Sequence, residues 1–324
     1  GSKLKVNHLR SHLLVWSTED YVFLEGKIPR TPFMKNFQIY FKGLLISLCC
    51  FIGFTTFSTH AEKLGNERIV SAGGSVTEIL FALDLGAQIV AVDTSSLYPV
   101  EATTLPKIGY YRQLSPEGVL AQKPDILVGH SSMGPEDVLS QISTTDVEVL
   151  HVEHDYSVES LYGLIDTLAK RFKQEEAGKK LIAHISNELN TVSSDISSQP
   201  NHSNTNTLAF FASVGSRGLV AAGTKTMPST LFKLAGANNA FADLEGYKPI
   251  SPESLLVAKP SRLFIPSHAA AGQSVEELCQ LPALRMWAEL TGCNITVVDP
   301  LVFMGLSPRL ANGVALIKDM KTSK

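Results

Sequence analysis

Gly109-Tyr110-Tyr111-Arg112 places two adjacent phenols and a guanidinium on four consecutive residues, the densest chemistry in this 324-residue chain. A free tyrosine titrates near pH 10, so either phenol keeps its proton at neutral pH unless a nearby cation stabilises the phenolate. Taken alone, the run reads as loop aromatics. His130 and His268 each follow a short apolar run, Ile126 to Val128 and Leu263 to Ile265, at strand-end positions that face a crevice in α/β lobes. Beside His130 lies the turn-like Ser131-Ser132-Met133-Gly134, which makes a rim or loop role the simpler reading there. His151, His154, His184 and His202 carry no ligand spacing and read as surface or satisfied structural residues. The enzyme signatures are missing: no Gly-x-Ser-x-Gly elbow, phosphate loop, Gly-x-Gly-x-x-Gly fingerprint or His-Glu-x-x-His helix.

The elements that must position these residues repeat one grammar. Apolar runs at 68–73, 89–93, 126–129 and 147–152 alternate with helical patterns such as 76–85 and 135–142. The alternation restarts with runs at 208–211, 219–222, 263–266 and 295–298. Strands alternating with helices imply a parallel sheet covered on both faces, so the expected class is α/β, with two Rossmann-like lobes on mainly parallel sheets. Two echoes argue that the lobes are pseudo-duplicated. Ser115-Pro116-Glu117 through Lys123-Pro124-Asp125 returns as Ser251-Pro252-Glu253 through Lys259-Pro260-Ser261. Each is a helix opened by a capping hydroxyl, with Pro and Glu in its first turn. Val70-Ser71-Ala72-Gly73 likewise returns as Val220-Ala221-Ala222-Gly223.

Between the halves, 157–172 and 175–196 are amphipathic, with Leu161, Leu164, Ile165 and Leu168, then Leu181, Ile185 and Leu189, on one face each. The second run predicts a long rigid inter-lobe helix that permits only small rocking, and therefore a largely preformed cleft. The expected boundaries are a first lobe over 62–172, the linking helix and loop over 173–207, and a second lobe over 208–324.

The first sixty residues follow another pattern. Met34, Lys35 and Lys42 precede an apolar run from Leu44 to Phe54 and small and polar residues ending at Ala61, the layout of a secretory signal over 34–61. The apolar run is too short for a bilayer span. Residues 1–33 precede Met34, read as the start methionine, and are set aside as an upstream extension or cloning remnant. Without 1–61 the chain has 21 basic and 28 acidic side chains, a formal −7, which disfavours nucleic acid as a partner. Cys49 and Cys50 leave with the signal; Cys279 and Cys293 remain, as one disulfide or as two buried thiols. A site built of cysteines alone is excluded by their number.

The segments Asp93-Thr94-Ser95-Ser96-Leu97-Tyr98-Pro99 and Gly109-Tyr110-Tyr111-Arg112-Gln113-Leu114-Ser115-Pro116-Glu117-Gly118, with the paired Ser-Pro-Glu helices and the long linking helix, resemble the periplasmic haem-binding proteins of bacterial ABC-type haem importers. The resemblance covers Glu62 to the C-terminus; its two-lobed frame is shared with cobalamin and ferric-siderophore binders. It implies a periplasmic, monomeric carrier of ferric haem b, with Tyr110 as the axial ligand to iron and Arg112 as its electrostatic helper or a propionate partner. A phenolate is a hard anionic donor suited to ferric iron. Tyr98, Tyr111 and His130 become cleft candidates, and His268 a second ligand or hydrogen-bond partner from the second lobe. The run Ser213-Val214-Gly215-Ser216-Arg217 lacks the histidine that some relatives place there, leaving Arg217 and Lys225 as propionate candidates. Glu117 and Glu253, equivalent in the two repeats, are the carboxylates expected to meet a permease dimer. The alternatives are the same fold carrying cobalamin or a ferric siderophore and, more remotely, an α/β enzyme acting on haem.

Overall fold

The computed structural model describes residues 67–194, 206–215 and 218–322. The signal and upstream expectations, His202 and Arg217 lie outside the described residues.

The first sheet is parallel throughout, in the order β2-β1-β3-β4, with β1 at Ile69–Ala72, β2 at Ile89–Val92, β3 at Ile126–His130 and β4 at Glu148–Val152. Its apolar runs are continuous because both faces are covered. Alternate residues divide between two cores: Ile69, Ile126 and Val128 face one, and Val70, Ala72 and Leu127 the other. Around this sheet run α1 (Gly74–Ala82), α2 (Val100–Thr104), α3 (Pro116–Leu120) and α4 (Glu136–Ser143).

Next come α5 (Val158–Arg171) and α6 (Glu175–Ser194), which pack together as a helical pair. Lys173, with φ 56°, makes the turn between them. The 20 residues of α6 span about 30 Å at 1.5 Å per residue.

The second sheet follows the order β10-β9-β5-β6-β8, from β5 (Thr207–Ser213), β6 (Leu219–Ala222), β8 (Tyr247–Ile250), β9 (Arg262–Pro266) and β10 (Ile295–Val298), with the short β7 (Asn238–Asn239) beside β5. Its helices are α7 (Met227–Leu234), α8 (Pro252–Ala258), α9 (Ser267–Ala270), α10 (Val275–Cys279), α11 (Arg285–Thr291), α12 (Pro300–Met304) and α13 (Leu310–Thr322).

The two echoes fare differently. The Ser-Pro-Glu segments are structural equivalents: Ser115 accepts from the Gly118 N–H and Ser251 from the Ser254 N–H, Lys123 and Lys259 end the units at φ 50° and 45°, and the strands β3 and β9 follow. The other echo is not one. β1 is parallel to both neighbours, whereas β6 is antiparallel to β5 and β8, so the second sheet is mixed. The cause is the connection. Only residues 214–218 separate β5 from β6, enough for a hairpin and far too few for the crossover that parallel strands need.

The inner faces of the two sheets share one apolar core. It runs from Ile69 and Ile126 through Ile165, Ile185 and Leu189 of α5 and α6 to Phe210, Phe264 and Phe303. Close approach continues at the helix ends. A Cβ on Gly74 would sit 2.4 Å from Leu301, and one on Gly305 would sit 2.6 Å from Ser75. The outer core of the second sheet gathers around Trp287, whose indole N–H donates to the Pro260 carbonyl at 2.9 Å. A disulfide joins Cys279 to Cys293 there, with Cα atoms 5.9 Å apart, realising the first of the two states open to these thiols.

Candidate ligand-binding site

Asp93, fully buried just after β2, organises the loop that carries the tyrosines. One carboxylate oxygen accepts from the Gly73 N–H at 3.0 Å and the Ser96 hydroxyl at 2.6 Å; the other accepts from the Ser95 N–H at 3.0 Å and its hydroxyl at 2.6 Å. Ser96, Thr77 and Ser71 continue as a buried chain of hydroxyls, each step 2.7 Å. The Asp-Thr-Ser-Ser segment is therefore a structural knot that fixes the turn between β1 and α1. From it the Thr94 N–H donates to the Gly109 carbonyl at 2.8 Å, and Gly109 takes φ 92°, a conformation that glycine adopts without strain. Downstream, the Gly134 N–H donates to the Tyr111 carbonyl and the Leu114 N–H to the Gly134 carbonyl, so the tyrosine loop is pinned on both sides.

Along the carboxyl edge of the first sheet, the edge where open α/β sheets bind ligands, lies a row of rings. Tyr110 and Tyr111 have centroids 4.6 Å apart, Tyr111 and His130 4.5 Å, His130 and His154 5.1 Å, and His154 and Tyr156 5.9 Å. Tyr110 is the outer member, 43% exposed, while Tyr111 packs against the outer core of the sheet. The Arg112 Nε donates to the Tyr111 phenol oxygen at 2.9 Å, so the guanidinium's hydrogen bond goes to the second tyrosine and reaches Tyr110 only through its charge. Burial and the neighbouring Tyr111 push the Tyr110 phenol up to about 12, against the smaller downward pull of Arg112.

His130 is neutral. Burial, with His154 and Arg112 nearby, holds it down to about 4. Its Nδ1 meets the Ser132 hydroxyl at 2.8 Å, and its ring edge lies 2.9 Å from where a Gly73 Cβ would stand, so the ring is a packed wall. His154, expected to be at the surface or satisfied, is half-buried, held below its usual value by burial, and its Nδ1 has no hydrogen-bond partner among the described residues. The hydroxyl of Tyr247 is likewise buried without a hydrogen-bond partner among the described residues, and burial with the phenols of Tyr156 and Tyr111 raises it. Tyr156 and Tyr247 are not among the residues singled out from the sequence, and His154 is read there as surface or satisfied; the place of His154 and Tyr156 just beyond the end of β4 is the one cue to those two rings.

The remaining candidates are dispersed. Tyr98 lies under the Arg309 guanidinium, 3.9 Å from its ring centroid, and lines a pocket of about 460 Å³ with Glu78, His184 and Asn312. Lys225 is paired with Glu245 at 2.9 Å. His268, in α9, is held somewhat low by partial burial, and no ring contact or hydrogen bond joins it to the tyrosine row among the described residues. β6 runs opposite to β5 and β9, so Lys225 and His268 leave the second sheet at opposite edges. Glu117 and Glu253 are exposed on the first turns of α3 and α8, as N-terminal carboxylates should be.

Residues 69–291 match the model of the periplasmic binding protein family. The chain belongs to that family. It is a family of substrate-binding transport proteins rather than enzymes. Among solved structures, this binding protein is similar to the periplasmic haem-binding protein BhuT in complex with two haems, at 27% identity and TM-score 0.73, covering 79% of this chain and 97% of that one. It is also similar to a periplasmic haem-binding protein from Pseudomonas aeruginosa, at 31% identity and TM-score 0.71, covering 80% and 94%. A curated relative, the vitamin B12-binding protein of Vibrio parahaemolyticus, is 26% identical over 222 residues, 68% of this chain and 78% of its own. The frame expected from the sequence is thus the observed one, and no helix among the described residues is long and apolar enough to cross a membrane.

Proposed function

We propose that this protein captures ferric haem b through the Tyr110 phenolate, in a cleft between its lobes, and passes it to the permease dimer of an ABC transporter for haem-iron uptake. The observation that carries this reading is the half-exposed Tyr110 phenol on a loop pinned from both sides, at the carboxyl edge of a parallel sheet. The solved haem binders at 27% and 31% identity support it. Haem presents a large apolar face and two anionic propionates, so an apolar cleft with one iron ligand and a few rim cations suffices. Because burial and Tyr111 favour the protonated phenol, the charge of the ferric iron is what displaces the proton when the ligand binds. Arg112 then faces the Tyr110 phenolate beside Tyr111, and Tyr111 and His130 form walls. Lys225 and Arg217 are propionate partners, Lys225 by leaving Glu245. His268, which leaves the second sheet at the edge opposite Lys225, is the weakest of the candidates. The protein works in the periplasm as a monomer, residues 34–61 having directed its export, and Glu117 and Glu253 dock it on the permease.

Ferric haem mixed with the wild type should give a phenolate-to-iron charge-transfer band that persists in Tyr111→Phe and disappears in Tyr110→Phe. Tyr110→Ala should weaken binding far more than His268→Ala. A Tyr110→Phe spectrum identical to the wild type sinks the assignment. A cobalamin carrier is the second reading, favoured by the vitamin B12-binding relatives. Competition between haem and cyanocobalamin for the wild type separates the two.

A further inference from the structure

Glu78 is 3% exposed on α1, a buried carboxylate that the tyrosine site does not use. Its partners come from the far end of the chain. Arg309 Nε donates to it at 2.7 Å and Nη2 at 3.3 Å, and the Ser307 hydroxyl donates at 2.9 Å. The same guanidinium reaches Asp299, which caps α12, at 2.9 Å, and lies over the Tyr98 ring. Arg309 thus grips two first-lobe segments at once. One is α1, where Thr77, the residue before Glu78, meets Ser96 of the Asp93 knot. The other is Tyr98, two residues beyond Ser96. From that knot Thr94 holds Gly109, the residue before Tyr110.

A buried arginine–carboxylate pair is weak support for stability, since desolvation offsets most of the attraction. A bidentate guanidinium does fix geometry. The surrounding contacts need fixed geometry: α1 and α12 approach so closely at Gly74 and Gly305 that neither position has room for a Cβ.

We propose that Arg309 is the positioning residue of the ligand site from the second lobe, an inter-lobe latch whose grip on Glu78 and Tyr98 sets both the spacing of the lobes and the seat of the Tyr110 loop. The binding part rests on the haem reading above; the spacing part does not.

The test uses the exported full chain with spin labels at two exposed positions, Ser143→Cys and Glu289→Cys, and measures their distance distribution by electron–electron double resonance. Arg309→Met should broaden the distribution and shift it to longer distances. Transfer of ferric haem to an acceptor apoprotein should become about tenfold faster, equivalent to roughly 1.4 kcal/mol, while the charge-transfer band of the wild type is kept. Arg309→Lys, which keeps the charge without the fork, should fall between. Arg309→Met strands a buried carboxylate and risks not folding, so Glu78→Met with Arg309→Met removes both charges and should give the same broadening. An unchanged distance distribution in the folded double variant overturns the latch. A broadened distribution with an unchanged transfer rate overturns the positioning role. Failure of the wild type to bind haem counts against the haem reading alone, because the distances are measured without ligand.

Discussion

Replacing Asp93 by asparagine changes one buried atom and should be felt through the whole tyrosine loop. The two carboxylate oxygens each accept one backbone N–H, from Gly73 and from Ser95, and one hydroxyl, from Ser96 and from Ser95. Whichever way the new amide turns, its NH2 faces one of those backbone donors and one hydroxyl. The hydroxyl can rotate away; the backbone N–H cannot. A stranded buried N–H costs about 1–3 kcal/mol, and the loss of ionic character weakens the bonds that remain, so a total of about 3 kcal/mol is expected. For a domain of this size that lowers the thermal midpoint by roughly 6–12 °C. Calorimetry on wild type and Asp93→Asn at pH 7 reads it directly, and the haem spectrum should show a weakened charge-transfer band because Thr94 no longer seats Gly109. A midpoint within about 2 °C of the wild type would mean that the knot is not what shapes this loop.

Other outcomes follow from groups already described. His130 is held near 4 in the folded protein, below its ordinary value, so the unfolded chain binds the extra proton first as pH falls. Its contribution is complete above about pH 6.5 and is lost toward pH 4, at up to about 1.4 kcal/mol per pH unit; urea midpoints across that range should fall less steeply in His130→Gln, and parallel curves would contradict this. Charge reversal at the carboxylates proposed to dock the permease, Glu117→Lys with Glu253→Lys, should leave the haem spectrum unchanged and lower association with permease-containing vesicles. Undiminished association would remove both residues from the docking face.

The strands of the two sheet centres were legible because buried parallel strands are continuous apolar runs bounded by turn residues. β7 and β8 were not: Asn238-Asn239 and Tyr247-Lys248-Pro249-Ile250 are polar, as sheet-edge positions allow. The antiparallel β6 was concealed by its likeness to β1, since four similar residues say nothing of the direction of the neighbour. Within the site, Tyr110, Tyr111, Arg112 and His130 were picked out by type and context and do lie together. Asp93 was visible as part of a motif, but its role depends on Gly73, 20 residues earlier, which only the folded chain brings near. The partner of Tyr98, Arg309, was not legible because it stands at the other end of the sequence.

The core shared by the two sheets bears on how occupancy can be reported. Proteins whose lobes swing shut around a ligand advertise loading by a change of overall shape, which a partner can read from a distance. Here Ile69, Ile185 and Phe264 belong to one packed interior, and a wide swing would tear that interior open. A membrane partner that distinguishes the loaded state from the empty one must therefore sense the cargo itself, or small displacements at the rim of the site.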